Sequence, residues 1–292
     1  MYYEAKKETL VMLYRHTLLT AEQLAILLHY RPKTMYNIAV ELRGKGLLRS
    51  ILLPFLKRNH VGYTLTAYGA RAAASLVGDE TVFRSKAWEE GPIQLEHFYG
   101  TNAFFIEVIR YSLNREGEGL IEWLDPRAAA ERYVQQRKGK KPSAPVKPDG
   151  FGMYVFPGRG RLAFHLEYDT GTETLWRLKE KMMQYGDLLP VIWPKVERVH
   201  VLFLTRGENR TKMLMDIWEA LQRGTFTGDP LPCMWIMNEQ DLKEKGIGEA
   251  RWMGSGGQRF PLWELPLLPQ LAEETIPILG KQLREQSPID RA

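Results

Sequence analysis

One stretch constrains this chain more than any other: two apolar runs joined by Pro157-Gly158-Arg159-Gly160 and followed directly by a long helical stripe. Residues 151–156 are rich in aromatic and β-branched side chains and alternate loosely, which predicts a strand. Pro-Gly-Arg-Gly predicts a turn. Residues 161–168 form a second, mostly apolar run. From Thr172 the apolar residues Leu175, Leu178, Met182, Tyr185 and Leu189 fall at i, i+3, i+7, i+10 and i+14. That spacing is one face of an α-helix. The chain is therefore expected to form a hairpin with a helix packed behind it.

Carboxylates occupy matched places in that unit. Asp149 stands at the mouth of the first strand, Glu167 near the end of its partner, and Asp169 two residues further on. Residues two apart on a strand share a face. Glu167 and Asp169 are expected to point together, with the hairpin bringing Asp149 beside them. Three carboxylates in one spot repel unless a cation joins them, and hard oxygen ligands suit Mg²⁺ or Mn²⁺.

The pattern resembles the PD-(D/E)xK nuclease fold, in which a Pro-Asp opens one strand, the next carries Glu-x-Lys, and a helix packs behind. Pro148, Asp149 and Glu167 match it. Asp169 stands where the family usually has a lysine that positions or activates the attacking water. The resemblance implies that Lys179 or Lys181 of the following helix supplies that charge, and Lys181 fits better, one turn before Tyr185 on the packed side. The implied catalytic set is Asp149, Glu167, Asp169, Lys181 and Lys179. Asp149, Glu167 and Asp169 are the implied metal ligands, with Mg²⁺ or Mn²⁺ as cofactor if the site is catalytic. The plainer alternative is a surface hairpin with solvated acids.

The length of 292 residues allows two domains with substantial cores. Hydrophobic content of 44% and charged content of 26% are ordinary for a globular protein. Cys233 is the only cysteine, which excludes an internal disulfide and a cysteine-based zinc finger. A reducing, cytoplasmic setting is expected. Met1 leads directly into a charged helix with no signal-peptide pattern, and no run reaches the ~18 apolar residues of a membrane span. Net charge is +5, unevenly placed. Residues 1–75 hold eleven Lys or Arg against four Glu, a net +7, so the remainder carries −2. That asymmetry points to a polyanion partner at the N-terminal end.

The basic quarter also has a legible order. Residues 6–18 predict a first helix with Leu10, Leu13, Tyr14 and Thr17 on one face. Thr20 and Gln23 predict a capping box for a helix over 21–28. Pro32 suits the first turn of a third helix over 32–43, with Met35, Ile38, Ala39 and Leu42 as its inner stripe. A strand over 47–53, a loop over 54–59, a returning strand over 61–65 and a helix capped by Thr66 follow. The words LTAEQLAILL, GKGLL and YTLTAYGARAA look like the winged helix-turn-helix family, whose third helix enters the major groove of double-stranded DNA. The outer face of that helix carries Arg31, Lys33, Thr34, Tyr36 and Asn37. Arg31 and Lys33 suit phosphate or guanine, and Asn37 suits adenine. Lys57, Arg58 and His60 in the wing suit phosphate or the minor groove. A solvated basic face is the alternative.

A polar linker is expected over 79–91, dividing a DNA-binding domain (1–78) from a second domain with a C-terminal tail (92–292). A helix over 92–113 carries His97, a ligand or a core hydrogen-bonding group, and Glu96, a possible extra metal ligand. KGKKPSAPVK, residues 138–147, is either a solvated loop or a phosphate contact beside the acidic site. Strands over 198–205 and 232–238 flank a helix over 210–222. The tail from Leu262 is rich in Pro and Leu without a clear period. The fold expected is α/β (α+β overall), a winged helix-turn-helix followed by a nuclease-like α/β domain.

The series winged helix, linker, PDG, HLEYDTGTE, lysine and tyrosine resembles the replication-relaxation family of bacterial plasmids and mobile elements. The resemblance implies action on plasmid DNA in replication or relaxation. Three functions remain open at this point: a DNA-binding protein whose second domain recruits plasmid replication or mobilisation proteins without cleaving, a Mg²⁺-dependent endonuclease or nickase, and a transcriptional regulator that homodimerises through the second domain.

Overall fold

The computed structural model describes residues 2–56, 60–79, 94–134, 144–227 and 230–269. They fall into two compact units, one up to Arg110 and one from Tyr111.

The first unit opens with α1 (Tyr2–His16), a short β1 (Leu19–Thr20), α2 (Ala21–Leu28) and α3 (Pro32–Gly44). The expected capping box is present. Thr20 Oγ1 accepts from Gln23 N–H at 3.2 Å, and Gln23 Oε1 accepts from Thr20 N–H at 2.9 Å. Pro32 occupies the first turn of α3, and Met35, Ile38, Ala39 and Leu42 are buried. Strands β2 (Leu48–Leu53) and β3 (His60–Leu65) pair antiparallel, and β1 joins the open side of β3, giving the order β1-β3-β2. Helix α4 (Ala67–Val77) follows, capped by Thr66. This is the winged helix-turn-helix order. Thr17, expected inside the first helix, lies outside it in the left-handed region at φ 63°.

Helix α5 (Leu95–Ser112), which the sequence reading assigned to the second domain, lies mostly in the first unit. The Asn102 side-chain amide explains the difference, donating to the carbonyls of His16 at 2.9 Å and Leu18 at 2.8 Å. The expected linker lies almost wholly outside the described residues.

The second unit is a seven-stranded mixed sheet in the order β10-β9-β8-β7-β6-β5-β4. Strand β4 (Gly119–Leu124) and helix α6 (Pro126–Glu131) precede the expected hairpin of β5 (Gly150–Phe156) and β6 (Gly160–Asp169). The predicted turn joins them, and Gly152 faces Phe164, whose ring lies 2.3 Å from where a Cβ would stand. A larger residue at 152 would have to displace the Phe164 ring.

Helix α7 (Leu175–Ile192) crosses from β6 to the parallel strand β7 (Val199–Thr205), and α8 (Glu208–Gly224) crosses to β8 (Cys233–Asn238). Leu178, Met182, Tyr185 and Leu189 bury the predicted stripe against Val201, Phe203, Trp218 and Ile236. Burial of this kind contributes roughly 1.5–3 kcal/mol for each large apolar side chain. The sheet ends with α9 (Glu239–Glu249) and the short antiparallel strands β9 (Arg251–Met253) and β10 (Arg259–Pro261). The elements α6, α9, β9 and β10 were not expected, being short and weakly periodic. Of the tail, Leu262, Trp263, Leu265 and Leu268 are buried, and Arg161 and Leu268 exchange backbone hydrogen bonds.

Candidate active site and nucleic-acid interface

Asp149 precedes β5, where Pro148 has no N–H to offer a ladder. Its own N–H donates to Leu166 O at 3.0 Å, which sets it opposite Glu167 across the hairpin. One Asp149 carboxylate oxygen accepts from the Tyr168 N–H at 2.8 Å. Glu167 points to the face covered by α7 and is only 2% exposed. Its two oxygens are held by residues one helical turn apart on α7. Lys181 Nζ donates to Oε2 at 2.9 Å, and the Tyr185 hydroxyl donates to Oε1 at 2.5 Å. Lys181 also reaches Glu173 at 3.2 Å.

Burial pushes Glu167 up to about 7. Lys181 opposes that rise, Asp149 adds to it, and the Tyr185 hydrogen bond again opposes it. Burial by itself would lower Lys181, but the carboxylates of Glu167 and Asp149 outweigh it and hold the ammonium firmly charged. Tyr185 is raised well above the ordinary phenol range, first by burial and then by the Glu167 charge. It is a donor to Glu167 and not a second anion.

The expected trio of carboxylates is not assembled. Asp169 is buried, but it forms a two-point ion pair with Arg210 of α8. Nη2 lies 2.9 Å from Oδ1, and Nε contacts Oδ2. The Gly171 N–H also donates to Asp169 at 2.9 Å. Sharing a face with Glu167 was correct in principle for alternate strand residues, but α8 brings a guanidinium to that end of the strand. Among the described residues no group of three His, Cys, Asp or Glu is placed to hold a metal. Asp149 and Glu167 are the two carboxylates left facing each other across the hairpin, one or two carboxylates being the number that a hydrated cation of the Mg²⁺ kind takes when it keeps its waters. Lys179 is exposed on α7 and has no part in the cluster. Glu96 and His97 lie on α5, in the first unit.

Two groups in this cluster were missed by the sequence reading. Tyr185 was read as part of the packed stripe and of the family series but given no role at the site, although its i+4 spacing from Lys181 marks a shared face. Arg210 had no local signal.

Beneath the cluster, His165 is fully buried two residues before Glu167. Its Nδ1–H donates to His200 O at 3.2 Å, and Tyr133 OH bonds its Nε2. His200 Nδ1 accepts from Trp235 Nε1–H at 2.9 Å, and its Nε2–H donates to Pro266 O at 2.7 Å. Burial lowers His165 to about 3 and His200 to about 4, so both serve as neutral hydrogen-bonding struts. A cavity of about 200 Å³ opens beside Glu167, Lys181 and Tyr185, with residues 144–147 as its opposite wall. A larger hollow of about 370 Å³ between α8 and β9 is lined by both charge signs, including Lys212, Asp216, Asp241 and Arg251, and by none of the cluster.

In the first unit, Arg31, Lys33, Tyr36 and Asn37 are exposed on and just before α3, and Thr34 is half-buried. The Arg31 carbonyl accepts from Thr34 N–H at 2.9 Å, placing Arg31 at the N-cap. The positive dipole end of α3 lies beside Arg31 and Lys33, although Pro32 has no N–H and the Thr34 and Met35 N–H groups donate to the Arg31 carbonyl. His60 opens β3 opposite Leu53. Lys57 and Arg58 lie outside the described residues. No helix among the described residues is long and apolar enough to cross a membrane.

Comparison with known proteins gives one match over most of the chain. The sequence profile of the family described as Replication-relaxation matches residues 10–196. No curated protein matches. Two solved structures of a Lactococcus lactis ZitR mutant, one of them in apo form, are 18% identical over 26% of this chain, with TM-scores of 0.25 and 0.24. The chain spans 57% and 51% of the length of those two.

Proposed function

The chain belongs to the replication-relaxation family, and on that premise we propose that it binds double-stranded DNA through α3 and the wing, and that its second unit nicks a phosphodiester with a divalent cation. The observation that carries the catalytic part is Lys181 Nζ at 2.9 Å from Glu167, with Asp149 opposite across the hairpin. This reunites on three elements the acid, acid and lysine that the PD-(D/E)xK pattern keeps on two strands.

Asp149 and Glu167 would hold the cation, which when bound supplies Lewis acidity and a more acidic water. Lys181 would orient an attacking water and offset negative charge gathering on the phosphate oxygens. Tyr185 fixes the Glu167 rotamer, and the apolar face of α7 excludes bulk water from behind. The cost of this arrangement is a buried carboxylate, tolerated because both its oxygens are hydrogen-bonded.

A second reading is a domain that binds without cutting. It is favoured by the Asp169–Arg210 pair, which removes the third carboxylate. Supercoiled plasmid incubated with Mg²⁺ or with chelator separates the two. Nicking by the wild type that is lost in Asp149→Ala and Lys181→Ala, with DNA affinity retained, supports catalysis. Equal intact plasmid in all arms sinks it.

A further inference from the structure

We propose that the cavity beside Glu167 is a subsite for a backbone phosphate of DNA, with Lys147 and Gln184 as its binding groups. This rests on the reading of the second unit as acting on a phosphodiester.

The cavity is built from two directions. On one side, α7 presents Lys181, Gln184 and Tyr185 to it, at i, i+3 and i+4. On the other side runs the segment 144–147. Val146 is 2% exposed and belongs to the same core as Tyr185 and Leu189. Three residues later, Asp149 is tied to the sheet through its N–H and its carboxylate. Lys147 is thus held between two anchored neighbours, and its own side chain is exposed at the mouth.

The one carboxylate of the lining, Glu167, is already paired with Lys181, which leaves Lys147 and Gln184 as the groups that can meet an anion. The Lys147 ammonium makes no ion pair among the described residues, and the Gln184 amide is likewise exposed. Lys181 also lines the opening, paired with Glu167 and Glu173. The volume of about 200 Å³ is below the ~300–1,000 Å³ of cavities that take whole drug-sized ligands. It has room for a phosphate group with its adjoining sugar oxygens. Lys147 stands two residues from Asp149, so a phosphate held there sits next to the carboxylates that would hold the cation. A phosphate at this place would set the register of the strand against Asp149 and Glu167.

The test uses the full chain carrying Lys33→Ala and Asn37→Ala, which weakens the α3 contribution and exposes binding by the second unit. Affinity for a fluorescein-labelled DNA duplex is measured in chelator over a salt series. Adding Lys147→Ala should weaken the remaining binding and reduce the slope of log K against log salt by about one unit. Gln184→Ala should weaken binding without changing the slope, and Lys147→Arg should retain both.

Lys179→Ala is the control, an exposed lysine on α7 that does not line the cavity. If Lys147→Ala and Lys179→Ala behave alike, or the α3 double variant shows no residual binding, the subsite does not exist. Plasmid nicking with Mg²⁺ is run in parallel. No nicking by the wild type, with the Lys147→Ala effect on binding intact, removes the catalytic reading and leaves the subsite. Nicking whose KM is unmoved by Lys147→Ala, with unchanged binding, does the reverse.

Discussion

Lys181 Nζ lies 2.9 Å from Oε2 of Glu167, in a cluster where the carboxylate is almost fully buried and the ammonium is about a third exposed. The pair joins a strand to the helix that follows it, so the lysine reaches the acid from behind the sheet. Lys181→Ala should lose plasmid nicking, while Lys179→Ala keeps it. Breaking a fully buried pair costs about 3–5 kcal/mol. The partial exposure of Lys181, and protonation of Glu167 in its absence, should hold the loss in urea unfolding below that range.

Tyr185→Phe removes only a hydroxyl, but one that donates to a buried carboxylate at 2.5 Å. Hydrogen bonds to charged groups contribute about 1.5–3 kcal/mol, so the unfolding free energy should fall by that order. The shift should largely vanish in a Glu167→Gln background, because the charged acceptor is then absent. An equal shift in both backgrounds would mean that the hydroxyl acts through packing alone.

Asp169 and Asp149 should separate cleanly. Asp169→Ala leaves the Arg210 guanidinium with only the Glu173 carbonyl as acceptor and should destabilise the fold by about 3–5 kcal/mol. Its affinity for Mn²⁺, read by calorimetry under conditions where the variant is folded, should match the wild type. Asp149→Ala should lose Mn²⁺ affinity. Loss of affinity in both would restore the three-carboxylate site.

On the DNA side, Lys33→Ala should weaken binding evenly across sequences and lower the salt slope by about one unit. Asn37→Ala should instead relax discrimination at one base pair by roughly 1–3 kcal/mol. A selection from random duplexes with wild type and each variant reads both effects. A uniform loss for Asn37→Ala would place it on phosphate.

His165 and His200 predict acid sensitivity. Their folded-state pKa values of about 3 and about 4 lie below the ordinary 6.5, so the unfolded chain binds more protons between those limits. The contribution of the two histidines is full above pH 6.5 and falls as pH drops toward 4, by about 1.4 kcal/mol per pH unit per histidine. Glu167, raised to about 7, acts with the opposite sign between 4.5 and 7 and offsets part of the loss. Melting temperature measured over this range should decline toward acid, less steeply in His200→Gln. A flat profile would mean that the two imidazoles are not buried neutral.

The hairpin, the helix behind it and the Asp149–Glu167 opposition were legible because they rest on local rules. A Pro-Gly turn between two strand-forming runs sets the register, and register decides which residues face each other. The winged helix was legible for the same reason: its caps, its stripe and its turn residues are all within a few positions of what they control. Lys181 could be narrowed to one of two candidates, since helical spacing puts it on the face of Tyr185 and leaves Lys179 outside. By contrast Asp169 was misread. Alternation correctly put it on the face of Glu167, but its charge is taken by an arginine 41 residues away.

By itself, then, the sequence determined the order of elements, the faces they bury and the two acids that meet across one turn, because each depends on neighbours a few residues apart. Only the tertiary structure decided which charges pair. Residues separated by whole crossovers, such as Asp169 with Arg210 or Asn102 with the His16 carbonyl, meet through the packing of helices on the sheet and on one another, and no periodicity in the chain encodes that distance.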